Sequence, residues 1–402
     1  MSTQSGTAVS DGTDPVKGSG GGLLTNKKFR AIVAQIVVVV VLVLFTGFIA
    51  HNTAVNLEKR GIATGFGFLG NPAGFDVAFS LIDYNPQMTH SRVYVVGAIN
   101  TVLIAALGCL TATILGFLIG VLRLSSNWLV SRVAYWYVEI LRNIPLLLQI
   151  IFWWNILILM PTARESLNFG GIFYLNNKGF QLPKPVFEEG SGIALVALIV
   201  AIVASVGVRI WAHRRQEATG QIFPVWWTTF GLVIGLPLIA LAVTGFPITF
   251  EVPVFKGFNF VGGFEISPEM FAMWFALSVY TGAFIAEIVR AGIQAVSWGQ
   301  TEAASALGLR PNWTMRLIVL PQAMRVITPM LTSQYLNLTK DSSLALAIGY
   351  PDLVATFGNT SLNQTGQAIE IIAIVMATYL VFSLLTSVFM NWYNKRVALV
   401  ER

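Results

Sequence analysis

The stretch GQTEAASALGLRPNWTMRLIVLPQAMR, residues 299–325, sets the reading of the whole chain. Glu302 to Leu307 are mostly good helix formers. Glu302 sits where a first-turn carboxylate favours a helix N-terminus. Gly308 is placed to take the left-handed conformation that ends such a helix, and Pro311 suits the first position of the next one. Pro321 falls near the start of an apolar run. The spacing predicts a short helix, a tight turn and a second helix leading away. The alanines give the first helix a small face on which another protein can pack closely, helix in groove. The same residues also fit an amphipathic connector lying on a membrane with no partner, and the pattern leaves both readings open.

The rest of the chain supplies the membrane. Of its 402 residues 55% are hydrophobic and 11% charged, with a mean hydropathy of +0.70. A soluble domain carries about 25% charged residues, so a soluble enzyme is argued against, and disorder fails for want of charge. A single cysteine, Cys109, excludes a disulfide scaffold. Three histidines, His51, His90 and His213, are too scattered for a metal cluster. A membrane helix needs about 20 apolar residues. About eight stretches qualify, near 31–50, 96–121, 144–160, 193–211, 224–244, 269–289, 318–338 and 368–390. The expected fold class is an all-α polytopic membrane protein.

Sidedness follows from Lys and Arg. With both termini cytoplasmic, the inside segments carry 16 Lys/Arg and the outside segments 8. The net charge of +6 is therefore distributed as a membrane protein distributes it, and nucleic acid is not an expected partner. Residues 1–25 read as a disordered cytoplasmic tail. Residues 26–95 read as an N-terminal span with a periplasmic loop that packs on the outer face. Residues 391–402 read as a cytoplasmic tail.

Glu302, Ala303 and Ala304, then Gly308, Ile318, Leu320 and Pro321 at their fixed spacing, resemble the EAA loop of ABC importer permeases. The flanking segments YVEILRNIPLLLQI (137–150), ALSVYTGAFIAEIVRAGIQAV (276–296) and LTKDSSLA (338–345) resemble the polar amino-acid branch of that family. The long layout, with RGIATGFGFLGNPAGFD near the N-terminus, resembles the long permease subunit of general L-amino-acid or glutamate/glutamine/aspartate/asparagine importers. The resemblance implies a five-helix permease core within 96–390, a two-helix insertion at about 161–268 and a coupling loop at 291–317. It further implies that Glu302, Ala303 and Ala304 form a docking surface, that Gly308 makes the turn, and that Ile318, Leu320 and Pro321 hold the return into the next span. The implied partners are a cytoplasmic ABC ATPase dimer holding ATP and Mg, a second related permease, a periplasmic amino-acid-binding protein and the bilayer of the bacterial inner membrane.

No GxxxxGK[ST], nucleophile elbow or HExxH occurs, so the chain itself is read as non-catalytic and without a cofactor. Ionisable groups in spans are functional candidates because burying them is costly. Glu287 can bind a substrate ammonium or pair with Arg290 one turn on. Lys340, Asp341, Ser342 and Ser343 can meet both ends of a zwitterion or close a helix end. Arg325 can hold the loop to the span or attract a substrate carboxylate, and its depth favours the structural role. Asn100, Thr101, Gln149 and Gln334 fit interhelical hydrogen bonds. The alternative from another class is a self-sufficient secondary transporter, for which inverted repeats are expected and none is seen.

Overall fold

A computed structural model describes residues 27–59, 61 and 64–397. The expected 1–25 tail, and the last residues of the expected C-terminal tail, lie outside them. Apolar runs become helices wherever they are long enough. They are α1 (Lys27–Lys59), α2 (His90–Leu122), α3 (Trp128–Asn143), α4 (Leu146–Ile158), α5 (Ser191–Thr219), α6 (Val225–Val243) and α7 (Pro268–Gln294), then α8 (Trp298–Ala306), α9 (Pro311–Thr314), α10 (Leu320–Asp341), α11 (Leu362–Thr365) and α12 (Ala368–Val397). α1 belongs to one compact unit, and α2 to α10 with α12 to another. The rest builds around α7, which packs against α2, α3, α4 and α10.

Among the described residues six helices are long and apolar enough to span a membrane, or seven if α3 and α4 count as one span. The expected count of eight is therefore not reached. The expected span at 318–338 exists as α10, but Gln322, Arg325, Gln334, Lys340 and Asp341 make it too polar for the same criterion. It is held by burial of Ile327, Leu331 and Leu338 in the common core.

Residues 123–143, expected as a connecting segment, are mostly helix instead. Asn127 caps α3, its side chain accepting from the amides of Leu129 and Val130. Pro145 then ends it, and α4 departs at 105°. Gln149 makes this corner tolerable. Its Nε2 donates to the carbonyls of Leu141 and Ile144, both at 2.9 Å, which the break leaves without helical partners.

Among the described residues eight short strands accompany the helices, all in segments that the sequence reading left as loops. β1 (Leu167–Phe169), β2 (Phe173–Asn176) and β3 (Gly179–Leu182) precede α5 with β4 (Lys184–Phe187); β5 (Ile248–Glu251), β6 (Val254–Lys256), β7 (Asn259–Val261) and β8 (Phe264–Ile266) follow α6. All pairs are antiparallel, in the order β1-β2-β3-β8, with β4-β5 and β6-β7 apart. α5 and α6 pack chiefly on each other.

The α2–α7 contact depends on glycine. A Cβ on Gly116 would lie 2.4 Å from Ile285 Cγ2, and one on Gly120 2.7 Å from the Ala286 carbonyl. The loop before α2 is packed rather than loose, with Phe68 and Ala73 buried beside Val93, Leu353 and Phe357. Between α10 and α12 the chain runs through a 3-10 segment (Ser342–Ile348) and a π-helical segment (Val354–Ser361). Asn100 and Thr101 pin this crossing to α2. Asn100 Nδ2 donates to the Pro351 carbonyl at 2.8 Å, and Thr101 Oγ1 accepts from the Leu353 amide at 3.0 Å. Asp352 is fully buried there. Its Oδ1 accepts from the Ala355 amide and its Oδ2 from the Tyr379 hydroxyl, at 2.8 and 3.3 Å. Burial pushes its carboxyl up to about 7 from an ordinary 3.8.

Two outcomes are expected in detergent-solubilised protein. Gly116→Val or Gly120→Val overpacks the α2–α7 seam and costs about 1–3 kcal/mol, lowering the melting temperature. Gly207→Ala, with nothing within 4 Å of its added methyl and a better helix former in place of glycine, does not lower it. The second outcome concerns pH. Asp352 ionises near 3.8 when unfolded but near 7 when folded, so its contribution is complete below the first value and lost as pH rises through the second. Melting temperature therefore falls between about pH 4 and 7, and Asp352→Asn, which keeps an acceptor for the Ala355 amide, flattens that slope. An unchanged slope in the variant assigns the pH dependence elsewhere.

Candidate functional site

The 299–325 stretch folds as its residues dictate. α8 ends in a Schellman turn: the Leu309 amide donates to the Ala304 carbonyl at 3.1 Å and the Gly308 amide to the Ser305 carbonyl at 2.9 Å. Gly308 is left-handed, with φ +76°, and open space surrounds it. Pro311 opens α9, which runs through a π-helical turn, Met315–Val319, into α10. Glu302 and Ala303 are exposed. Ala304 is not: at 1% exposure it packs within its own chain, because α8 lies on α9 and the π turn. The three residues grouped by sequence thus divide into two that face outward and one that holds the helix down.

The return side is as ordered. Val319 is buried, Ile318 and Leu320 are half-buried, and Pro321 stands in the first turn of α10, where its missing amide hydrogen costs nothing. The Gln322 side chain donates to Gln300 Oε1 at 3.3 Å, joining α8 to α10 directly. A cleft of about 530 Å³ lies beneath α8, lined in part by Ile293, Thr301, Ser305 and Met315.

Glu287 does not stand free. Its carboxylate is bonded by Arg123 at the end of α2 and by Arg290, whose Nε lies at 3.2 Å. The ion-pair alternative with Arg290 is therefore the one realised, extended across two helices by Arg123, a partner that sequence spacing had no means to indicate. Glu287 still borders a cavity of about 330 Å³ between α3, α7 and α10, shared with Arg142, Ser333 and Gln334. Arg142 went unnoticed in the sequence reading. It lies over the Phe284 ring at 5.0 Å and has no hydrogen bond or ion pair among the described residues. Its signal was the arginine beside the helix-breaking Ile144-Pro145 pair.

Lys340, Asp341, Ser342 and Ser343 do not form one polar cluster. Ser342 is buried and donates to the Thr339 carbonyl, and Ser343 donates to that of Lys340, both at 2.7 Å. The two serines close the end of α10, while Lys340 is exposed and Asp341 half-buried. The Nε of Arg325 is buried without a partner among the described residues.

Comparison with known proteins agrees with this arrangement. Residues 214–399 match the family described as binding-protein-dependent transport system inner membrane component. The chain is 52% identical to the general L-amino acid transport system permease protein AapQ of Rhizobium johnstonii, over 97% of this chain and 98% of that one. It is 49% identical to the putative amino-acid ABC transporter permease protein YhdX of Escherichia coli, over 94% and 96%. It is 44% identical to the glutamate/glutamine/aspartate/asparagine transport system permease protein BztB of Rhodobacter capsulatus, over 94% and 96%. Alignment along nearly the whole length, together with a short helix tied to α10 beneath a core of packed spans, places the chain in the permease family of binding-protein-dependent ABC importers.

Proposed function

We propose that this permease moves L-amino acids from periplasm to cytoplasm by alternating access, driven by ATP hydrolysis in separate subunits. The observation that carries the reading is α8, a short helix with Glu302 and Ala303 turned outward and Gln300 fastened to Gln322 of α10. A push on α8 is handed to a helix that borders the central cavity. The ATPase dimer that docks on α8 holds ATP and Mg, and this chain carries neither.

The remaining partners are a second related permease and a periplasmic amino-acid-binding protein. Both termini and α8 lie in the cytoplasm, in keeping with the richer Lys and Arg content of that side. The Arg142 guanidinium offers a bidentate partner for the carboxylate that every amino acid carries. Ser333 and Gln334 add uncharged hydrogen-bonding groups. Glu287 is neutralised by two arginines and serves to hold Arg123 and the α2 end against α7. A cavity that reads the backbone carboxylate and not the side chain suits a broad range of substrates, in keeping with the names of the relatives.

The coupling role is tested with Glu302→Lys and Gly308→Pro. The first reverses an exposed charge. The second cannot adopt φ +76° and loses the Gly308 amide bond, a change of several kcal/mol in the turn. Both variants are expected in the membrane at normal levels with uptake abolished; normal uptake by both removes α8 from the mechanism. Substrate range is read from labelled glutamate uptake in cells lacking the chain, with and without a plasmid restoring it. Restored uptake blocked by excess glutamine, arginine, leucine and alanine alike fits a general importer. Blockage by glutamine alone narrows it to acidic and amide substrates. Uptake in vesicles without any ATPase, driven by an ion gradient, would instead establish a secondary transporter.

A further inference from the structure

The α5–α6 hairpin takes no part in the coupling helix or the central cavity. α6 buries none of its residues, and apolar side chains such as Leu195, Val203, Phe230 and Leu238 stand exposed along both helices. Apolar surface of that extent belongs against hydrocarbon. Near its connecting turn the hairpin leaves a crevice of about 420 Å³ between its two helices.

One wall of the crevice is a polar stripe on α5. Ser205, Arg209, His213 and Gln216 follow at intervals of three and four, so they share a helix face. The other wall is apolar and aromatic, with Val225, Trp226 and Val233 of α6. Trp226 and its neighbour Trp227 are 85% and 78% exposed, which is where membrane proteins place tryptophan at the headgroup layer.

Two groups on the polar wall lack partners. Ser205 is 8% exposed, and its hydroxyl makes no hydrogen bond among the described residues. Arg209 has no hydrogen bond or ion pair among them either. The neighbouring charges are engaged: His213 Nδ1 lies 3.3 Å from Glu217, and Arg215 donates to Gln221 at 2.7 Å while covering the Trp211 ring. Within 209–222 the arginines are Arg209, Arg214 and Arg215, against Glu217 as the single acid. The crevice is thus a basic pocket with an apolar floor and an unsatisfied donor deeper along the same face.

We propose that this crevice binds an anionic phospholipid. The Arg209 guanidinium takes the phosphate, with His213 beside it. The Ser205 hydroxyl, one turn or about 6 Å further into the helix, donates to an ester oxygen of the glycerol backbone. The acyl chains lie along the exposed apolar side of the hairpin. Bidentate geometry explains an arginine at this position. The excess of positive charge around the turn favours an anionic over a zwitterionic headgroup.

The test is native mass spectrometry of the protein purified with its associated subunits and stripped of lipid, titrated with phosphatidylglycerol, phosphatidylcholine or inorganic phosphate. Phosphatidylglycerol is expected to bind in preference to phosphatidylcholine. Arg209→Gln is expected to weaken it about tenfold or more, the loss of one charge-assisted bond pair. Ser205→Ala is expected to weaken it less, and Arg215→Gln, whose side chain is already held by Gln221 and Trp211, less than Arg209→Gln does. Gel filtration checks that each variant stays assembled, and substitution at exposed Arg209 leaves the helix packing untouched. Equal binding of the two lipids, or unchanged binding by Arg209→Gln, overturns the proposal. Displacement of the lipid by inorganic phosphate alone overturns it too, by marking a site for a soluble anion.

Discussion

Helices inside a bilayer gain nothing from hydrophobic association, because lipid tails are as apolar as leucine. What holds them is close contact, and α2 and α7 make it through glycine. Gly116 and Gly120, four residues apart on α2, bring its backbone against Ile285, Ala286 and Val289. Gly282 answers from α7, where an added methyl would touch Ala112 and Leu115. α7 is consequently buried over most of its length, and the remaining core helices find their places on its other faces. Further along α2, Gly97 lets the Asp352–Thr356 crossing lie flat on the helix.

The charges work on top of this seam. Arg123 and Glu287 lie at matching ends of α2 and α7 and pair there. Arg290 also holds the Glu287 carboxylate, so the charge is shared between two arginines, one at the end of α2 and one on α7. The cavity next to it is bounded by α3, α7 and α10. α7 is anchored by the glycine seam, and α10 packs on it where Gly292 meets Ile327. α10 is also the wall joined to α8, through Gln322 and the π turn. A π turn is a weak point in a helix, and its position between α9 and α10 suits a joint.

Much of this was legible in sequence, and the reasons differ by element. The end of α8 was readable because only glycine suits φ +76°, and the two-helix insertion because its apolar runs are uninterrupted. The seam was overlooked although Gly116 and Gly120 form a small-xxx-small pair, a signal that was present and not weighed. The orientation of Ala304 was not readable, since three adjacent helical residues point in three directions and nothing local says which is down. The partner of Glu287 was hidden because Arg123 is remote in sequence. The strands escaped because runs of three or four residues carry too little alternation to stand out from loop. Asp352 escaped because its burial comes from α2 and α12, not from its neighbours in the chain.

The long segment between α4 and α7 is closed at its base by paired strands. β3 pairs with β8, and inside that pair β4 pairs with β5, so two nested antiparallel ladders close the base of the α5–α6 hairpin. Gly179 makes the outer closure possible: with φ +104°, it sits where any Cβ would fall 2.1 Å from the Ile266 carbonyl oxygen. Closure cost grows only slowly with loop length, and the ladders return the chain to α7 close to where it left α4. α5 and α6 pack chiefly on each other rather than on the core, which leaves their apolar flanks exposed. A hairpin released from the core in this way answers mainly to the lipid that surrounds it.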